Sequence, residues 1–300
     1  MLSLLLAAST ILALPPDQRP IDCGSCPEWN LPQEPFRLHG DTYYVGTRGL
    51  SALLVDTGAG LVLLDAALPQ SAAQIAANIE ALGFRVADVE WILNSHAHFD
   101  HAGGIAALQR LSGARVGASA AAVPMLKRGE LPPDDPQHGL GASMHFPPVA
   151  DAEAIPDGAR VALGDVEIVR HATPGHTPGG SSWSWRSCED GECVTVVYAD
   201  SLSPVSAEGF RFHERSTGTT TTAQQLRASV QRVGALPCDL LVSTHPDASA
   251  LFERKAMAAE SPDANPFVAA DACRSYAARN LAWLERRLAE EAAPTPTAPR

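Results

Sequence analysis

Between residues 42 and 65 the chain alternates short apolar runs with glycine-containing turns, so residues 42–45, 52–56 and 61–65 are predicted as strands. The period then changes. Ile75, Ala76, Ile79 and Leu82 recur at helical spacing, and 71–82 is predicted as a helix. An apolar strand over 89–93 ends at Asn94-Ser95, and a helix over 104–111, a strand over 115–118 and a helix over 120–127 follow. Residues 129–158 break the pattern. Pro132, Pro133, Pro136, Pro147, Pro148 and Pro156 crowd this long irregular stretch, which in a compact domain is often a functional loop. Strand patterns return at 161–163, 166–171, 182–185 and 194–198, followed by a helix at 222–233, a strand at 240–243 and a helical pattern over 265–288. Residues 292–300, rich in proline and alanine, read as a disordered tail. The chain thus has two successive halves, each strand-rich first, which suggests an α/β fold with two sheets and helices outside. Periodicity alone does not separate that layout from other α/β arrangements.

Composition narrows the function classes. With 300 residues and 45% hydrophobic side chains, a substantial core is available. The net charge of -12, without a run of Lys or Arg, argues against nucleic acid and against docking on anionic membranes. Residues 1–14 are almost wholly apolar and are broken by Pro15-Pro16; this is too short to span a bilayer. The run reads as the hydrophobic part of a secretory signal peptide lacking its basic start, and residues 1–20 are set aside on that ground. A frayed terminus or a buried strand would share the pattern. Six cysteines suit an exported, periplasmic or secreted protein with disulfides, and 15 pairings are open. Proximity favours Cys188 with Cys193 across the Glu189-Asp190-Gly191-Glu192 turn. Cys23 and Cys26 form a lone CxxC, whose alternative use as a zinc site lacks a second CxxC.

The chemistry concentrates in Asn94-Ser95-His96-Ala97-His98-Phe99-Asp100-His101. His96 and His98 are two apart, so on an extended chain they point the same way; Asp100 continues that spacing and His101 lies on the turn beyond. Imidazole and carboxylate suit zinc, and four such donors do not easily wrap one ion. Two ions are the natural solution, with His176 in Thr173-Pro174-Gly175-His176-Thr177-Pro178-Gly179-Gly180 and His245 in Ser243-Thr244-His245-Pro246 as further donors. A lone histidine is usually a surface or core residue, and His39, His138, His145, His171 and His213 are assigned that role.

Together with Tyr198-Ala199-Asp200-Ser201-Leu202-Ser203, these motifs resemble the metallo-β-lactamase superfamily from about Trp29 to the C-terminal helix, and are most similar to subclass B3. The resemblance implies a four-layer αβ/βα sandwich over residues 21–291, with two mostly antiparallel or mixed central sheets and a zinc site at one edge. It also implies a cysteine pair placed like Cys238 and Cys273. Carried over, His96, His98 and His176 hold the first Zn2+, while Asp100, His101 and His245 hold the second, with a hydroxide between them. That hydroxide would open a β-lactam amide. Asp100 would anchor the second ion and orient the hydroxide, and Ser201 and Ser203 would hydrogen-bond the substrate carboxylate. Both serines are equally readable as ordinary turn residues. The loop over 129–149 is a candidate cover for the substrate or an uninvolved excursion.

Fold does not fix substrate. A glyoxalase II-like thioesterase or a lactonase would use an Asp after a late strand to bridge both metals, and Asp200 is available for it. The export pattern, the paired cysteines and Ser201-Leu202-Ser203 weigh against that reading. A nuclease is disfavoured by the acidic charge, and a non-catalytic zinc scaffold by the complete donor set. The expected partner is a small β-lactam, with no nucleic acid, no membrane and a monomeric chain.

Overall fold

A computed structural model describes residues 14–213, 216–217, 220–260 and 265–293. The first sheet contains β1 (Phe36–His39), β2 (Thr42–Tyr44), β3 (Leu53–Asp56), β4 (Leu61–Leu64), β5 (Val89–Leu93), β6 (Arg115–Ala118) and β7 (Ala152–Ala154), paired in that order. It is antiparallel from β1 to β4 and parallel from β4 to β7. The second sheet uses β8 (Arg160–Leu163), β9 (Val166–Ala172), β10 (Ser181–Glu189), β11 (Glu192–Ala199) and β14 (Leu240–Ser243), in the order β14-β11-β10-β9-β8. β12 (Ser216–Thr217) and β13 (Thr220–Thr221) make a small hairpin. The helices are α1 (Cys26–Trp29), α2 (Ala72–Ala81), α3 (Phe99–Ala102), α4 (Ile105–Ser112), α5 (Ala122–Arg128), α6 (Thr222–Ala235), α7 (Leu251–Glu260) and α8 (Ala272–Ala292).

Three apolar layers hold four structural layers together. Leu54, Leu63, Ile92 and Val116 face Ile75 and Ile79 of α2 and Leu108 of α4. Their strand neighbours Leu53, Val62, Leu64 and Leu93 point the other way, towards Trp183, Val196, Tyr198 and Val242 of the second sheet. Val197, Ala199 and Leu241 on that sheet's far side meet Leu226 and Val230 of α6 and Tyr276 and Leu284 of α8. Strands covered on both faces need apolar residues at successive positions, which is why 61–64 and 240–242 run without alternation. The result is the αβ/βα sandwich expected from the sequence.

The topology brings the motifs to one rim. β11 and β14 run parallel with Ala199 opposite Ser243, so Asp200 and Thr244 leave the sheet side by side. The Ser51 N–H donates to the Thr244 carbonyl at 2.9 Å, and its hydroxyl to the Ser243 carbonyl at 2.7 Å, fastening the first sheet to that rim. Across the sheets, the Trp183 indole N–H donates to the Asn94 carbonyl at 3.2 Å, anchoring the start of the histidine motif.

Several elements differ from expectation. Residues 265–271 precede α8 rather than joining it: Val268 bridges Leu240, and the helix runs on to Ala292, into the segment read as tail. Residues 294–300 of that tail and 1–13 of the expected signal peptide lie outside the described residues, while Pro16–Gln18 forms a 3-10 turn whose Asp17 pairs with Arg110. The stretch 129–158 contains β7 and a kinked 3-10 segment, His138–Met144. β1 and α7 had no clear period. At the predicted 189–192 turn, Asp190 (φ 51°) and Gly191 (φ 85°) make a left-handed pair suited to a two-residue hairpin.

Candidate metal centre

β5 ends at Leu93, and the chain leaves the sheet through a loop clamped by Asp65. This buried carboxylate accepts the Ser95 N–H at 2.7 Å, the Ser95 hydroxyl, an Asn94 amide N–H at 3.0 Å and the Tyr198 hydroxyl at 2.9 Å. Four donors from three residues thus fix where His96 begins. His98 keeps an extended backbone, but α3 starts at Phe99. Asp100 therefore does not continue the strand spacing, contrary to the simple alternation argument. The helical turn swings Asp100 and His101 into a second group, so one short motif serves two centres.

His96, His98 and His176 form the first group, with ring centroids 4.8 to 5.0 Å apart. Each ring has one nitrogen held from outside the group. His96 Nδ1 lies 2.8 Å from Asp200 Oδ1, His98 Nε2 lies 3.2 Å from Asp135 Oδ1, and His176 Nδ1 lies 2.9 Å from the Ser203 carbonyl. With protons on those three nitrogens, His96 Nε2, His98 Nδ1 and His176 Nε2 all carry lone pairs. Among the described residues, His96 Nε2 is buried with no hydrogen-bond partner. A buried polar atom left so is costly unless a ligand satisfies it. Burial, reinforced by the neighbouring histidines, holds the His96 ring pKa well below its usual range. Burial and then His98 lower His176 to about 3. Both rings are therefore neutral at physiological pH, the form that binds metal.

The second group is tighter. His101 Nε2, His245 Nε2 and Asp100 Oδ2 form a triangle with edges of 3.2, 3.3 and 3.4 Å. Without a metal, the 3.2 Å between the two imidazole nitrogens is the distance of an N–H···N hydrogen bond; with one, the three atoms can share a cation. Donors at the ~2.0–2.1 Å typical of zinc ligands, set tetrahedrally, are separated by about 3.3–3.4 Å. His96 lies near both groups, its ring 4.3 Å from that of His101. Burial alone would raise the Asp100 pKa, but His101 and His245 outweigh it and hold the carboxylate well below the usual range. Both groups could thus hold a cation, and imidazole and carboxylate are donors that suit zinc.

Comparison with known proteins agrees with this geometry. Residues 45–189 match the model of the metallo-beta-lactamase superfamily. The solved structure of the Rm3 metallo-beta-lactamase is 48% identical, with a TM-score of 0.86 over 90% of this chain and 99% of that one. MEM-A1, a subclass B3 metallo-beta-lactamase from a soil metagenome library, is 46% identical, with a TM-score of 0.84 over 88% and 98%. The chain belongs to the metallo-β-lactamase superfamily. It is built as a hydrolase of that type. A hydroxyacylglutathione hydrolase of Anaeromyxobacter dehalogenans (strain 2CP-C) is 34% identical over 132 residues, which span 44% of this chain and only 40% of that enzyme.

Within this superfamily site, Asp200 is fully buried behind His96, where its backbone N–H is held by the Ser182 hydroxyl and its carboxylate by Thr173. Burial, then the nearby Asp65, push its pKa well up; positive charge on the far side of the His96 ring would offset that cost. Ser201 and Ser203 line a cleft of about 390 Å³ together with His98, Asp100, His176 and His245. The Ser201 hydroxyl shares a hydrogen bond with Thr244 at 2.8 Å, and that of Ser203 lies 3.2 Å from His176 Nδ1. No Lys or Arg lines the cleft among the described residues. Trp29, from α1, stands over the partly exposed His245 with ring centroids 5.2 Å apart. The sequence reading missed Trp29, Asp65, Asp135 and Gln137. The unusual positive φ of Asp65 (57°) at a strand end is visible only in the fold. The five histidines set aside stay out of both groups; His39 binds Ser187 and His171 binds Ser184.

The cysteines pair as Cys23–Cys26, Cys188–Cys193 and Cys238–Cys273, leaving none free. The CxxC is thus a local bridge rather than half a zinc site. No helix among the described residues is long and apolar enough to cross a membrane.

Proposed function

We propose that this chain hydrolyses the amide bond of β-lactams, with one Zn2+ held by His96, His98 and His176 and a second by Asp100, His101 and His245. Zinc bound there would supply Lewis acidity and bring the pKa of a water down to about 7. The protein's own residues do the rest. Asp135, Asp200 and the Ser203 carbonyl set the tautomers, so that the ring lone pairs converge. Asp100 places a carboxylate oxygen at the junction of the two groups, where it can orient the attacking oxygen. The hydroxyls of Ser201 and Ser203 offer neutral hydrogen bonds to the substrate carboxylate, and Trp29 walls the cleft against water.

The position of Asp200 carries this reading. A bridging carboxylate, as a thioesterase site would use, must reach between the metal groups; here Asp200 holds His96 from behind and Ser201 faces the cleft. Identity above 45% to lactamases over nearly their whole length supports the same conclusion. We also infer export to the periplasm or outside the cell, because three disulfides persist only in an oxidising compartment. The deciding experiment is a substrate panel on the zinc-loaded protein. Penicillins, cephalosporins or carbapenems should be opened, with loss of turnover in EDTA and none with serine-directed inhibitors. Thioester hydrolysis without any lactam turnover would transfer the assignment to the hydroxyacylglutathione hydrolase type.

A further inference from the structure

We propose that Asp135, on the proline-rich excursion between α5 and β7, is a positioning residue that fixes His98 and thereby couples the order of residues 129–149 to metal binding. The inference rests on the metal centre just assigned, though not on which substrate it serves.

The Asp135 side chain is fully buried, with Oδ1 3.2 Å and Oδ2 3.3 Å from His98 Nε2. Oδ1 also accepts the Gln137 N–H at 2.8 Å. It has no Lys or Arg partner among the described residues, and a buried carboxylate without a cation is expensive to keep. The position becomes reasonable if positive charge lies on the other side of the ring, the carboxylate–histidine–metal arrangement that fixes a ligand's orientation and raises its basicity. His98 then donates through Nε2 and presents Nδ1. Gln137 follows Asp135 by two residues, and its amide nitrogen lies 3.4 Å from that Nδ1.

Elsewhere the excursion is held by the buried Leu131, Met144 and Phe146 and by a few backbone bonds. Phe146 N–H donates to the Gly129 carbonyl, Val149 N–H to the Leu126 carbonyl, and Ala207 N–H to the Pro136 carbonyl. Between them, residues 138–143 are exposed. Asp135 thus ties the middle of a long loop to a ligand of the first metal. Coupling of this kind is reciprocal: whatever metal gains from the ordered loop, the loop gains from metal.

The test uses the full chain, metal-free and loaded with Zn2+. Two-step competition titration against a chromophoric chelator measures each zinc, and limited proteolysis reads cleavage within 138–143. In the wild type, zinc should slow that cleavage. Asp135→Ala should weaken one of the two zincs by ~10–100-fold, leave the other unchanged, and abolish the zinc-dependent protection. Asp135→Asn keeps an acceptor and the shape, so it should fall between the two and serves if the alanine variant does not fold. Unaltered affinities for both zincs in Asp135→Asn, or cleavage indifferent to zinc in the wild type, would overturn the coupling. Equal weakening of both zincs together with a lowered metal-free melting temperature would show a merely structural residue. Failure of the wild type to bind zinc would instead refute the metal centre itself, whereas lactam turnover does not enter the readout.

Discussion

Replacing Asp200 by Asn separates the two hydrolase types that share this donor motif. The substitution is isosteric, and the site is closed: both side chains of the His96–Asp200 pair are wholly buried, with 2.8 Å between Nδ1 and Oδ1. The amide oxygen can still accept from His96, and its NH2 would meet the Thr173 hydroxyl, which can turn to accept. The fold should therefore survive while the negative charge behind the ring is lost. Changes at carboxylates that orient a metal-bound histidine cost ~10–100-fold in metal affinity, or about 1.4–2.7 kcal/mol. That loss should fall on the zinc held by His96, His98 and His176, with the other retained. Competition titration with a chromophoric chelator resolves the two steps, and metal analysis at saturating zinc should still return two equivalents. If Asp200 were itself a bridging ligand, both steps would weaken together and one equivalent would disappear. That result would refute the placement behind His96 and revive the thioesterase reading.

Three further outcomes follow from other parts of the structure. His176→Ala removes one of three donors from the first group, and metal analysis should show most of one zinc lost; two full equivalents would contradict the ligand set. Cys238–Cys273 closes a 35-residue separation between the approach to β14 and the start of α8, so the double Cys→Ala variant should lose about 3–4 kcal/mol in urea unfolding, and an unchanged midpoint would exclude a stabilising role. Asp157 accepts the Ala172 N–H and pairs with Arg232; burial opposes its charge, but Arg232 and that hydrogen bond outweigh it and lower its pKa. A depressed carboxylate stabilises the fold above its unfolded pKa of ~3.9 and ceases to do so as pH falls through the folded value. Asp157→Asn should therefore be less stable than wild type at pH 6, by under ~1 kcal/mol because the pair is largely exposed, and the two should converge near pH 2–3; a gap constant with pH would exclude the ionic contribution.

What the sequence made legible was local chemistry. The six donors stand in short motifs with turn residues beside them, and strands such as 61–64 carry their burial in their composition. What it hid was set by distance along the chain. Asp135 and Asp200 are 37 and 104 residues from the histidines they hold; Asp135 is an isolated acid in a proline-rich loop, and Asp200, though part of a legible motif, carries no sign in the chain that it faces His96. α3 was equally hidden, because four residues are too few to show a period, so alternation alone pointed Asp100 the same way as His96 and His98, whereas the resemblance had placed it with His101 and His245, where the fold has it. β1 and α7 gain their place from tertiary contact: Phe36 is stacked with Tyr44 and Phe267, and Phe252 of α7 sits under the Arg48 guanidinium.

The division has a physical origin. A metal ligand is recognisable by its atom type, whereas the group that makes it a good ligand need only be an acceptor at the right nitrogen. The fold supplies those acceptors from three separate places: a carboxylate behind β11, a carboxylate on the 129–149 excursion, and a backbone carbonyl at Ser203. Sequence motifs therefore point to metal donors, while the acceptors that orient them come into view only in the fold. Asp200 shows this most clearly. In the linear chain it is indistinguishable from a bridging ligand, and only its burial behind His96 takes it out of the cleft and leaves Ser201 there in its place.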